Sequence, residues 1–196
     1  MSAGPRRVLV IQGHPDLSEP HFCHALAQRY AEAAREAGHA VRLLEVARLE
    51  LPPLRSRKEW TDALPGAALK QAQEDVNWAQ HLVIVYPLWL GCMPALLKAF
   101  FEQLARPGFA VPAGPARLDA GLLRGRSARI VVTMGMPGWF YRWYFGAHSL
   151  KCLKRNILQF VGIRPVRSSV IGQVEGGAER RRLWLEKMAA LGRRAG

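Results

Sequence analysis

The sequence is poor in cysteine, in long apolar runs and in acid. Its three cysteines, Cys23, Cys92 and Cys152, are widely spaced, with no CxxC pair. An odd, scattered set leaves no disulfide framework or cysteine zinc site and suits a reducing compartment. The longest unbroken apolar run is LVIVY at 82–86, far below the roughly 20 residues of a membrane-spanning helix. Arg6 and Arg7 lie in the first ten residues, but no apolar stretch precedes a small-residue cleavage site, so no signal peptide is expected. Together these features predict a cytoplasmic protein.

Acidic residues number 15 against 28 Lys and Arg, giving a net charge of +13. That imbalance fits either an anionic partner (nucleic acid, membrane surface or phosphorylated cofactor) or arginines spread over solvated faces. The bases are scattered, only Arg180, Arg181 and Arg182 run together, and no basic-aromatic interleaving appears. The pattern favours the second reading, and no nucleic-acid partner is expected.

What is present is an ordinary globular composition, 49% hydrophobic and 22% charged, with no internal repeat, low-complexity segment or linker. One domain over residues 1–196 is expected. Three apolar segments are continuous: VLVI at 8–11, LVIVY at 82–86 and IVV at 130–132. Two alternate: VRLLEV at 41–46 and VRSSVI at 166–171. Continuous runs mark strands buried on both faces, and alternation marks edge strands. Helical spacing links Phe22, Leu26, Tyr30, Ala33 and Ala37, then Leu97, Phe100, Phe101 and Leu104 behind Pro94 at a first helical position. A third set is Leu150, Leu153, Ile157 and Val161, and ERRRLWLEKMAAL reads as a final helix. Alternating strands and helices predict an α/β doubly wound, five-stranded parallel sheet with helices on both faces. Central strands one, three and four with edge strands two and five fit the flavodoxin-like order 2-1-3-4-5.

In such a sheet, ligands bind beyond the carboxyl ends of the strands, where strand order reverses. The loops at that end are GHPDLSEPHF, PLWLGCMP and TMGMPGWFY. The first opens a helix whose free N–H groups suit an anion; His14, Ser18 and His21 add donors, while Asp16 and Ser18 equally suit simple helix caps. The histidine spacing 14, 21, 24 is poor for zinc, and no metal is expected. The second loop displays Trp89 and Leu90 beside Gly91, which suits a flat ring or, equally, core packing. In the third, Tyr141 and His148 can donate to a carbonyl oxygen, or simply fill a core edge.

The stretches VLVIQGHPDLSEPHFCHAL, LVIVYPLWLGCMPALLKAFFEQL, TMGMPGWFYRWYFGAH and LKRNILQFVGIRPV resemble the flavodoxin-fold NAD(P)H:quinone oxidoreductases, in the compact bacterial form. The second is the most specific, with Pro87-Leu88, Gly91, Pro94-Ala95, Leu97-Lys98 and Phe101-Glu102 in the family's frame. The resemblance implies a non-covalent flavin, FMN or FAD, with NAD(P)H as co-substrate and a quinone, azo or nitro acceptor. It implies a flavin-phosphate role for His14, Ser18, His21, Phe22 and Cys23. Pro87, Leu88, Trp89, Leu90 and Gly91 then line the ring, and Thr133, Met134, Gly135 and Met136 contact ring and ribityl from the other side. Tyr141 and, with a one-residue shift, His148 match the substrate-polarising pair. It also implies a homodimer, for which Trp139, Phe140, Trp143, Tyr144 and Phe145 supply interface surface. The chain departs from the family in a first loop two residues longer, in Leu90 for an aromatic, and in Met136 for a small residue. The alternative implied is an ancillary flavin-containing subunit of a membrane potassium-efflux system, peripheral to the membrane.

Overall fold

The computed structural model describes residues 4–114 and 121–196. Five parallel strands stand in the order β2-β1-β3-β4-β5. They are β1 (Arg7–Gln12), β2 (Ala40–Glu45), β3 (His81–Pro87), β4 (Ser127–Thr133) and β5 (Val166–Ile171). The continuous apolar runs lie in the middle: all seven residues of β3 are buried. Of the edges, β2 buries only Leu44 fully.

Side chains alternate across the sheet, which gives two cores. Leu9, Ile11, Leu82, Ile84, Ile130 and Val132 pack on one face against α3 (Ala67–Trp78), α4 (Ala95–Leu104) and the segment after β4. That segment holds α5 (Gly138–Trp143), α6 (His148–Lys151) and a π-helical stretch, Cys152–Leu158. Val8, Val10, Val83, Val85, Val131 and Ile171 face α1 (Phe22–Glu36) and α7 (Ala178–Arg194) on the other side. α7 lies close on α1, because an added Cβ at Gly192 would stand 2.4 Å from the Tyr30 carbonyl oxygen. A short α2 (Arg57–Thr61) is anchored from α4's end: Arg106 donates to the carbonyls of Glu59 (2.8 Å) and Ala63 (2.7 Å).

Three local expectations change. Pro94 caps α4 instead of entering it. The third helical set is not one α-helix but α6 continued by the π-helical stretch. Ala37 caps α1, and α3 was not anticipated. Among the described residues, no helix is long and apolar enough to cross a membrane.

Candidate active site

Strand order reverses between β1 and β3, and the three loops meet at their carboxyl ends. The Gly13 N–H donates to Val85 O (2.8 Å), and the Leu88 N–H to Thr133 O (2.7 Å). Cys23 Sγ meets Thr133 Oγ1 at 3.1 Å, tying α1's first turn to β4. The His14 ring stands edge-on to Trp89 with centroids 5.7 Å apart.

The first loop is a packed histidine cluster. His14 stacks on His21 at 3.8 Å, and His24 lies edge-on to His14 at 5.3 Å. The His14 N–H donates to Gln12 Oε1 (3.1 Å), and the Asp16 N–H to His14 Nδ1 (3.2 Å). Burial, then the neighbouring His21, pushes His14 below the usual imidazole range; His24 is lowered by the same two causes. Both rings are thus neutral donors or acceptors at pH 7. Asp16 and Ser18 do not cap the helix. Asp16 Oδ1 takes the Ser18 N–H (2.8 Å) and hydroxyl (2.6 Å), and Oδ2 meets His21 Nε2 at 2.9 Å. The Ser18 bonds, then His21, hold the Asp16 carboxyl well below its ordinary range. The cap is His21, whose N–H donates to His24 Nδ1 (3.2 Å).

This sorts the predicted phosphate residues. Ser18's hydroxyl is spent on Asp16. Cys23 is buried, its thiol pushed up to about 12 by burial, so only its backbone can meet an anion. The N–H groups of Phe22 and Cys23 have no acceptor among the described residues, and the first turn of α1 carries no acid. Gln12 Nε2 and His24 Nε2 are buried without partners beside them. Neither was foreseen; Gln12 reads as the last residue of a strand, and His24 as a helix-face residue. Unspent donors at a helix N-terminus fit a phosphate.

The second loop is a two-residue turn. Trp89 and Cys92 exchange N–H to O bonds of 2.8 and 2.9 Å, with Leu90 (φ 46°) and Gly91 (φ 75°) between them. Two positive φ angles define the mirror-image hairpin turn that Asn-Gly favours. Leucine there is strained by about 1–3 kcal/mol, and Leu90 is fully exposed. The Leu90 and Gly91 N–H groups have no acceptor among the described residues.

The third loop is zipped to the chain after β5 through Val174 N–H to Met134 O and Gln173 N–H to Met136 O, both 3.2 Å. Gly135 is exposed, Thr133 and Met134 are buried, and Met136 packs partly on the core. Tyr141 is buried; its hydroxyl accepts the Leu150 N–H (3.2 Å), and burial raises its pKa. His148 is exposed at the start of α6, after Gly146 (φ 57°) and Ala147 (φ 48°). The expected pair is therefore split, with one hydroxyl locked in the core and one imidazole free.

A family model described as the flavodoxin-like fold matches residues 6–193. The chain belongs to that family. An uncharacterized NAD(P)H oxidoreductase of Haemophilus influenzae is 26% identical over 85% of this chain and 83% of its own length. An FMN-dependent NADH:quinone oxidoreductase of Nitratidesulfovibrio vulgaris is 26% identical over 84% and 85%. A ribosyldihydronicotinamide dehydrogenase-like protein, traD of Penicillium crustosum, is 30% identical, and the chain spans 58% of its length. The crystal structure of Smu.1420 from Streptococcus mutans superposes with a TM-score of 0.80 at 25% identity, covering 95% of this chain and 98% of the other.

Proposed function

We propose that this member of the flavodoxin-like family is a flavin-dependent NAD(P)H oxidoreductase. It passes a hydride from NAD(P)H through non-covalent FMN to a quinone-like, azo or nitro acceptor. One observation carries the reading: at the switch point, three loops leave the N–H groups of Phe22, Cys23, Leu90, Gly91, Gly135 and Met136 without acceptors among the described residues. A row of unspent donors around one crevice suits a ligand with a phosphate and a polar planar ring. The N. vulgaris relative's FMN dependence supports that choice of flavin.

Bound FMN supplies the hydride chemistry. The N-terminus of α1, with His14 and His21, holds the phosphate. Leu90 and Gly91 N–H groups donate to the ring's polar edge, Trp89 and Leu90 cover it, and residues 133–136 border it. The His14 ring, held below the usual imidazole range, adds no charge that titrates near pH 7. His148 donates a hydrogen bond to the acceptor as negative charge develops on it. Tyr141 acts through His148: by holding the Leu150 N–H, it fixes the turn that carries the imidazole.

The reading includes one domain over residues 1–196 and a cytoplasmic homodimer. Trp139, Trp143 and Tyr144 are each at least 66% exposed, and large apolar side chains left open together suit an interaction surface. The test of the site is His148→Gln. Acceptor reduction should fall about 100-fold while FMN affinity stays within about twofold. Equal loss of both would remove His148 from this role.

A further inference from the structure

The amino ends of the strands, opposite the flavin crevice, hold a second feature that the oxidoreductase reading does not use. A cavity of about 230 Å³ there is lined by Arg6, His81, Ser127, Arg167, Arg194 and Gly196. His81 is 2% exposed, and its Nε2 has no partner among the described residues. The other ring nitrogen is taken: His81 Nδ1 lies 2.8 Å from Ser127 Oγ, which in turn accepts from Arg6 Nη2 at 3.4 Å. Arg6 only donates, so Ser127 Oγ accepts there; with the Ser127 hydroxyl proton turned to Nδ1, the His81 proton sits on Nε2. In that arrangement the unpartnered atom is an N–H donor.

Among the described residues, no Asp or Glu side chain lines the cavity. Arg6, Arg129, Arg167 and His39 act on His81 most strongly after burial itself, each disfavouring a proton there. His39 accepts the Arg6 backbone N–H on Nδ1 (3.1 Å) and meets Arg193 O through Nε2 (3.1 Å). Arg6 spends Nη1 on the Ala195 carbonyl (2.8 Å), and Arg129 spends Nε on Gly196 O (2.7 Å) and Nη1 on Ser169 Oγ (3.0 Å). The Arg167 and Arg194 side chains form neither a hydrogen bond nor an ion pair with any described residue. Clustered guanidinium groups and a buried, unsatisfied N–H are each unfavourable alone, and one anion relieves both.

We propose that this pocket binds an oxyanion of the phosphate class. Arg167 and Arg194 supply the charge, and His81 Nε2–H supplies the neutral donor. The cavity admits a phosphate-sized group, free or as the monoester end of a small molecule.

The test reads the His81 ring by ¹⁵N NMR in the whole protein, with His81→Asn assigning the signal. Inorganic phosphate is titrated against chloride at constant ionic strength, and methyl phosphate serves as the monoester. A saturable shift of the His81 Nε2 signal is expected with phosphate and not with chloride. At about ten times the dissociation constant, the melting temperature should rise by about 3 °C. Both effects should vanish in Arg167→Ala/Arg194→Ala, whose exposed sites spare the fold, and survive in part in Arg167→Lys/Arg194→Lys. Tighter binding of inorganic phosphate than methyl phosphate assigns the free ion; the reverse order assigns a monoester. An equal response to chloride, or a shift unchanged in the double alanine variant, would overturn the proposal. So would a shift that appears only after Gly196 is deleted, which would give the pocket to the chain's own tail.

Discussion

Replacing His81 by asparagine should flatten the acid side of the stability curve. In the folded chain, burial and then Arg6, Arg129 and Arg167 lower His81 to about 3, against an ordinary value of 6.5. Between those values the unfolded chain carries a proton on His81 that the folded chain rejects. Stability contributed by the neutral ring is therefore full above pH 6.5 and falls as the pH drops, until about pH 3, where both states are protonated. The linkage relation gives a loss of about 2 kcal/mol between pH 7 and pH 5 from this residue, or roughly 4–8 °C in melting temperature for a chain of this size. Asparagine can place an oxygen near the Nδ1 position to accept from Ser127, and it does not titrate. The assay is urea unfolding of both proteins at pH 7 and pH 5, in buffer free of phosphate and sulfate. His14 and His24 are also lowered, so the wild type has other acid-sensitive groups, and the difference between the two proteins isolates His81. Equal loss on acidification in both would refute the argument.

Three other substitutions probe the architecture. Leu90→Asn, at a position whose φ is 46°, should raise unfolding free energy by about 1 kcal/mol while slowing acceptor reduction, measured by urea midpoint and turnover together. Arg106→Ala strips three carbonyls of α2 and its end, together with Gln103 Oε1, of their donor. It should cost about 3 kcal/mol and open residues 49–66 to proteolysis; an unchanged midpoint would contradict the anchoring role. Gly172→Ala would put a Cβ 2.4 Å from Gly138 N and 2.6 Å from Met136 O. The third loop must then move, and FMN affinity should fall by roughly tenfold or more, read by fluorescence titration.

The strand order was legible because burial on one or two faces leaves a mark in one dimension. VLVI and LVIVY are apolar at every position since helices cover both sides of β1 and β3. Helix α3 left little mark, because its buried residues are only Leu69, Ala72 and Val76 amid polar neighbours. The three loops were legible as the candidate site because strand order places them together. The division of labour inside them was not. Whether Ser18 faces an anion or Asp16, and whether the Tyr141 hydroxyl faces an acceptor or the Leu150 N–H, depends on rotamers and packing that spacing does not encode. The cluster around His81 was invisible for a similar reason. Its members come from residues 6, 81, 127, 167 and 194, and only the amino ends of the parallel strands together with the carboxyl end of α7 bring them together. Part of the +13 charge, read along the chain as scattered arginines, is in this way gathered at one place.

The most direct test of the central claim is the visible absorbance of the purified chain after addition of FMN, followed by anaerobic NADH or NADPH. The account predicts a bound-flavin spectrum that bleaches on reduction and recovers when a quinone is added. A chain that binds no FMN, or holds it and is not bleached by either nicotinamide, would contradict it.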